Sequence, residues 1–193
     1  MRVFLLRHAE TAWSLSGQHT GRTDLELTQA GRAEAARASG IFERLLDGHE
    51  LDAVYSSPRR RALETAELVL PGRMPVISEL VQEFDYGDYE GLTPAQIQSR
   101  APGWSLWHDG CPNGETVADV AARADTFIRD VLSQHEGGRV CVVSHGHMTR
   151  VLTARMLGLA PALGGIFEIK TSSVAELVRK NAGFALTRWN LTA

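Results

Sequence analysis

Two stretches of the chain are unbroken apolar runs, Val3-Phe4-Leu5-Leu6 and Val140-Cys141-Val142-Val143. Each is too short for a helix and lacks the alternation of a half-wet strand. Both therefore predict strands covered on two faces. Asp52 to Ser57 and Met74 to Ile77 predict two more short strands, and Ser173 to Val178 and Ala185 to Trp189 predict edge strands. Helical stretches fall between them. Thr28 is a suitable N-cap for an alanine-rich helix that ends near Leu46. Pro58 sits in the first turn of another, closed by Pro71-Gly72. Thr93-Pro94 opens a short helix to Arg100. The strongest stripe follows Glu115, where Val117, Val120, Ala121, Ala124, Phe127, Ile128, Val131 and Leu132 share one face of a 3.6-residue helix until Gly137-Gly138. A last helix runs from His145-Gly146-His147 to Leu157. The polar, glycine-rich stretch from Thr11 to Asp24 predicts a loop. The order of elements predicts an α/β, three-layer sandwich with a mainly parallel central sheet and helices on both faces. It forms a single domain over residues 1–193, with a lid-like insert at about 84–114.

Composition narrows the picture a little. The 193 residues are 44% hydrophobic and 22% charged, which is ordinary for a globular chain and enough for one well-buried core. A formal net charge of −3 argues against a general nucleic-acid footprint. The N-terminal apolar run is too short for a signal core or a membrane span, so no membrane association is expected. Two cysteines give no disulfide framework, and CxxC or HExxH spacing is absent. A reducing cytoplasm is the expected location.

The candidate chemistry collects at strand ends. The first buried strand runs into Arg7-His8, the later one into His145-Gly146, and a third ends at Ser57, one helical turn before Arg61. In an open α/β sheet, ligands bind at the carboxyl edge of the strands. Two arginines, an imidazole and free amides at helix starts make a phosphate clamp there. Each residue also has a plainer reading. A run such as Arg59-Arg60-Arg61 is ordinarily a solvated helix face, and His147 reads as an ordinary, partly exposed histidine. His145 and His147 are a weak metal signal without a nearby carboxylate or thiolate. The coincidence at three strand ends outweighs these readings.

At these residues the chain resembles the histidine phosphatase, or phosphoglycerate mutase-like, superfamily. Arg7-His8-Ala9-Glu10-Thr11-Ala12-Trp13-Ser14 resembles its Arg-His-Gly-Glu-Thr-x-Trp-Asn signature, with Ala9 for glycine and Ser14 for asparagine. Ser57-Pro58 with Arg61-Ala62 and Thr65-Ala66, Leu80 to Glu83 with Gly87 and Glu90-Gly91, Pro112 to Thr116, and Val143 to Gly146 resemble its other motifs, in family order.

The resemblance implies that His8 is a nucleophile forming a phosphohistidine. Arg7, Arg61 and a protonated His145 hold the phosphoryl oxygens, and Glu83 is general acid and then base. No metal or other cofactor is implied. Ser14, Thr20, Gly21, Tyr86, Gly146 and Arg150 are the expected substrate contacts. Leu92-Thr93-Pro94-Ala95 stands where the mutases carry a Gly-Leu-Asn-Lys stretch, and the insert has one arginine. Hydrolysis is therefore expected over the alternative of a cofactor-dependent phosphoglycerate mutase. All five chemical positions are filled, which weighs against an inactive phospho-ligand-binding relative. The stretch Trp13 to Leu25, with Tyr86 to Gly91 and Trp107 to Cys111, is similar to a branch containing sedoheptulose-1,7-bisphosphatase and small acid phosphatases. The expected partner is a small-molecule phosphomonoester, most simply a sugar phosphate.

Overall fold

A computed structural model describes residues 1–193 except Ala182. Its strands are β1 (Arg2–Arg7), β2 (Ala53–Ser56), β3 (Val76–Ile77), β4 (Arg139–Ser144), β5 (Val174–Lys180) and β6 (Gly183–Leu191). The helices are α1 (Ala12–Ser16), α2 (Gln29–Leu46), α3 (Arg60–Val69), α4 (Pro94–Arg100), α5 (Leu106–Asp109), α6 (Val117–Gln134) and α7 (Gly146–Met156). The six strands form one sheet in the order β3-β2-β4-β1-β5-β6. β1, β2, β3 and β4 run parallel, whereas β5 and β6 are antiparallel additions.

The two buried runs are the central neighbours, with Arg7 in register with Ser144. Their side chains alternate between two cores, as strand geometry requires. Val3, Leu5, Val140 and Val142 face α6 and α7, joined by Phe84, Tyr86, Leu106 and Cys111 from the 84–114 stretch. Phe4, Leu6, Cys141 and Val143 face α2 and α3. The three layers follow from that alternation.

Capping sets several helix starts. The Thr28 hydroxyl accepts from the Gly31 amide, and Thr93 and Thr116 form capping boxes with Gln96 and Asp119.

Two expectations change. Within Thr11 to Asp24 lies α1, one turn fixed by a Thr11–Ser14 capping box and ended by Gly17 in the left-handed region. Its few residues carry no apolar stripe to betray it. β5 is not an edge strand: it sits between β1 and β6, and Val174, Ala175 and Leu177 are buried. Its alternation is broken by Glu176, buried against Arg188 and Thr187. Both cysteines are free and buried. Among the described residues no helix is long and apolar enough to cross a membrane.

Candidate active site

Because β1 and β4 are parallel and in register, the residues just past them become neighbours. The His8 and His145 rings lie 5.2 Å apart between centroids, at 61°. Ser57, one residue past β2, comes within 2.8 Å of His145 Nε2 through its hydroxyl. The first turn of α3 carries Arg61 to the same place, where its Nε donates to His145 Nδ1 at 3.2 Å. Glu83 arrives after a 3-10 turn over Glu79–Val81 and meets the start of α7. Its Oε1 accepts from the amides of Phe84 (3.1 Å) and Met148 (2.9 Å), and its Oε2 from that of His147 (3.0 Å). A helix N-terminus is a natural seat for that carboxylate. The structure thus brings together all five residues expected to carry the chemistry.

The histidine at the end of β1 is held in one protonation state. Its Nδ1 lies 2.7 Å from the Ala9 carbonyl, which only accepts, so Nδ1 carries the proton. Nε2 is left as a bare lone pair with no partner among the described residues. Burial, then the charges of Arg61 and Arg7, push the ring pKa well below its ordinary value. The neighbouring Arg7 donates from Nη1 to the Ile169 carbonyl at 2.6 Å, while its buried Nε has no partner. Gly146 packs on that guanidinium: a Cβ there would sit 3.4 Å from Arg7 Cζ. Behind the pair, the Ala9 amide donates to Thr65 Oγ1, which donates to the Arg61 carbonyl. This chain of bonds fixes α3 against β1.

His145 differs from the protonated ring expected. Nδ1 accepts from Arg61, so Nε2–H donates to the Ser57 hydroxyl, and the ring is neutral. Burial and the Arg61 cation hold its pKa well down. Arg61 is itself fully buried, and its Nη groups donate to the carbonyls of Thr20, Gly21 and Thr23.

A cavity of about 220 Å³ opens on Arg7, His8 and Glu83. Of the expected substrate contacts, Ser14, Thr20, Tyr86, Gly146 and Arg150 line it. Ser14 Oγ is already engaged, accepting from the Thr11 amide and donating to its carbonyl. Arg150 donates to the carbonyls of Gly164 and Gly165 and lies 4.6 Å over the Trp107 ring. Gly21 is a correction. It does not line this cavity, because its amide donates to the Glu90 carboxylate, and a Cβ would lie 2.3 Å from the Phe84 carbonyl. Its place is in the frame, against Arg61.

Three residues of the site lie outside the expected set. His19 and His147 line the cavity, and Tyr86 bonds His147 through its hydroxyl at 2.6 Å. Arg123, from the clearest helix in the sequence, is the clamp for Glu83. It pairs with Glu115 and donates to the carbonyls of Leu80, Gln82 and Glu83. The signal for His147 was its place in the first turn after His145. Nothing in the pattern of charges separated Arg123 from an ordinary polar face.

A neutral imidazole near two arginines, sharing a cavity with a carboxylate at a strand edge, points to a class. The chain matches the histidine phosphatase superfamily (branch 1) over residues 3–192 and belongs to it. It is a phosphoric monoester hydrolase of that family. It is 45% identical to an acid phosphatase of Mycobacterium tuberculosis, over 90% of this chain and 84% of that one. It is also 34% identical to sedoheptulose 1,7-bisphosphatase of Saccharomyces cerevisiae, over 82% and 68%. The solved structure of an open reading frame from Mycobacterium tuberculosis superposes with a TM-score of 0.91 at 42% identity, covering 99% of this chain and 97% of that one.

Proposed function

We propose that the chain hydrolyses small sugar phosphates in two steps through a phosphohistidine on His8 Nε2. The observation that carries this reading is the His8 ring: singly protonated, pinned at Nδ1, and presenting an unpartnered Nε2 in the field of Arg7 and Arg61. A phosphate ester dianion repels a nucleophile until its charge is neutralised. The unpartnered Nε of Arg7 and the buried Arg61 guanidinium both add positive charge near the His8 ring. In the first step Nε2 forms a bond to phosphorus as the ester P–O bond breaks, and Glu83 passes a proton to the leaving alkoxide. In the second, Glu83 takes a proton from water, whose oxygen bonds to phosphorus as the N–P bond breaks. Inorganic phosphate leaves, and His8 and Glu83 return to their starting states. The names of the yeast and mycobacterial relatives support a sugar phosphate and a phosphomonoester respectively.

The test is hydrolysis of p-nitrophenyl phosphate in excess chelator, with rapid quench to trap labelled protein. We expect turnover and an acid-labile, alkali-stable phosphoryl group, both absent from His8→Ala. Turnover that survives His8→Ala would remove His8 as the nucleophile.

A further inference from the structure

The cavity holds two more imidazoles besides His8, and they have opposite polarity. His19 sits in the loop after α1. Its Nδ1 lies 3.1 Å from the Leu92 carbonyl, which can only accept, so Nδ1 carries the proton and Nε2 is an acceptor. His147 stands in the first turn of α7. Its Nδ1 meets the Tyr86 hydroxyl at 2.6 Å, and burial keeps that phenol protonated. The hydroxyl has no other acceptor among the described residues, so the phenol donates to Nδ1 and His147 presents Nε2–H as a donor. Burial favours the neutral form of both rings.

The two rings are nearly parallel, 14° apart, with centroids separated by 5.8 Å. His19 is braced edge-on by Tyr86 (4.6 Å) and Trp104 (5.9 Å), and His147 by Trp107 (5.5 Å). Among the described residues neither Nε2 has a partner, and neither is among the buried atoms left without one. Both rings line the cavity that opens on His8. A fixed acceptor beside a fixed donor, in aromatic walls, suits a group that both donates and accepts. An alcohol is such a group, whereas a carboxylate or phosphate offers only acceptors.

We propose that His19 and His147 form a donor–acceptor pair that reads hydroxyl groups on the leaving alcohol, making polyhydroxylated phosphomonoesters the preferred substrates. This rests on the phosphatase reading of the site and adds how the leaving group is chosen. A hydroxylated chain satisfies both nitrogens. A bare alkyl chain leaves them unpaired in a desolvated site, which is where discrimination is strongest.

The test needs no variant at first. Ribose 5-phosphate, n-pentyl phosphate and p-nitrophenyl phosphate are compared by kcat/KM on the wild-type chain. We expect ribose 5-phosphate to exceed n-pentyl phosphate by about tenfold or more, the worth of one or two hydrogen bonds. Equal values for those two, with p-nitrophenyl phosphate turned over, would overturn this proposal and leave the phosphatase reading standing. No turnover of any of the three overturns both. His19→Phe keeps the ring's shape and removes the acceptor, and should bring the ribose-to-pentyl ratio towards one. His147→Asn retains an N–H donor and should preserve more of that ratio than His147→Phe. A ratio that stays fixed while all three rates fall together would assign the pair a structural role and refute the proposal.

Discussion

The carboxyl ends of β1 and β4 are the same device put to different uses. Each is a buried apolar strand, in register with the other, and each delivers a histidine to the same edge. At the end of β1 a single carbonyl holds Nδ1 and leaves Nε2 bare. At the end of β4 both ring nitrogens are engaged, one by Arg61 and one by Ser57. Residue type and position therefore do not distinguish reagent from frame. The number of ring nitrogens left without a partner does.

This contrast can be broken most severely at His8. His8→Ala should lower kcat by on the order of 10⁴-fold or more while the melting temperature changes little, since Nδ1 contributes one local bond. His145→Ala should reverse the balance. Activity should fall by about 10²-fold, with a loss of about 2 kcal/mol of stability, because Arg61 Nε is left buried without an acceptor and the Ser57 hydroxyl keeps only the Arg59 amide. Paired kinetics and urea melts on the two variants give the comparison, and equal stability losses would erase the distinction.

Arg123→Ala sharpens the picture at the third member of the site. Without the clamp on the carbonyls of Leu80, Gln82 and Glu83, kcat on an alkyl phosphate should fall by about 10²-fold. The fall should be smaller on p-nitrophenyl phosphate, whose leaving group needs little help from an acid. An equal loss on both esters would separate Arg123 from the positioning of Glu83.

The smallest effect is one of pH. Folding holds His8, His145 and His147 below the ordinary histidine value of 6.5. Below that pH the unfolded chain binds protons that the folded chain refuses, so stability is fullest above pH 6.5 and falls as the solution is acidified. Melting temperatures from pH 7.5 down to 5 should decline, and less steeply in His145→Gln. A rise on acidification would contradict the neutral rings.

The parts of this architecture that were legible in sequence are those that rest on local pattern. Continuous apolar runs located β1 and β4, and residues adjacent to strand ends located His8 and His145. What escaped depends on distant partners. The neutrality of His145 comes from Arg61, 84 positions away in the chain. The burial of β5 depends on its pairing with β1, which its broken alternation concealed. Gly21 was placed near the substrate by motif, but Glu90 takes its amide. His19 lay in a stretch too polar to suggest walls of tyrosine and tryptophan around it.

The position of β1 between β4 and β5 has a consequence for how the molecule is made. The Arg7 amide donates to the Ser173 carbonyl, its guanidinium to the Ile169 carbonyl, and the His8 carbonyl accepts from the Ser172 amide. The partners of Arg7 and His8 lie more than 160 positions further along the chain. Until β5 is made, the apolar strand β1 has an unpaired edge, a hazard that long-range pairing imposes. Synthesis should therefore yield no partly active species. The surroundings of His8 are complete only once β5 has closed over β1.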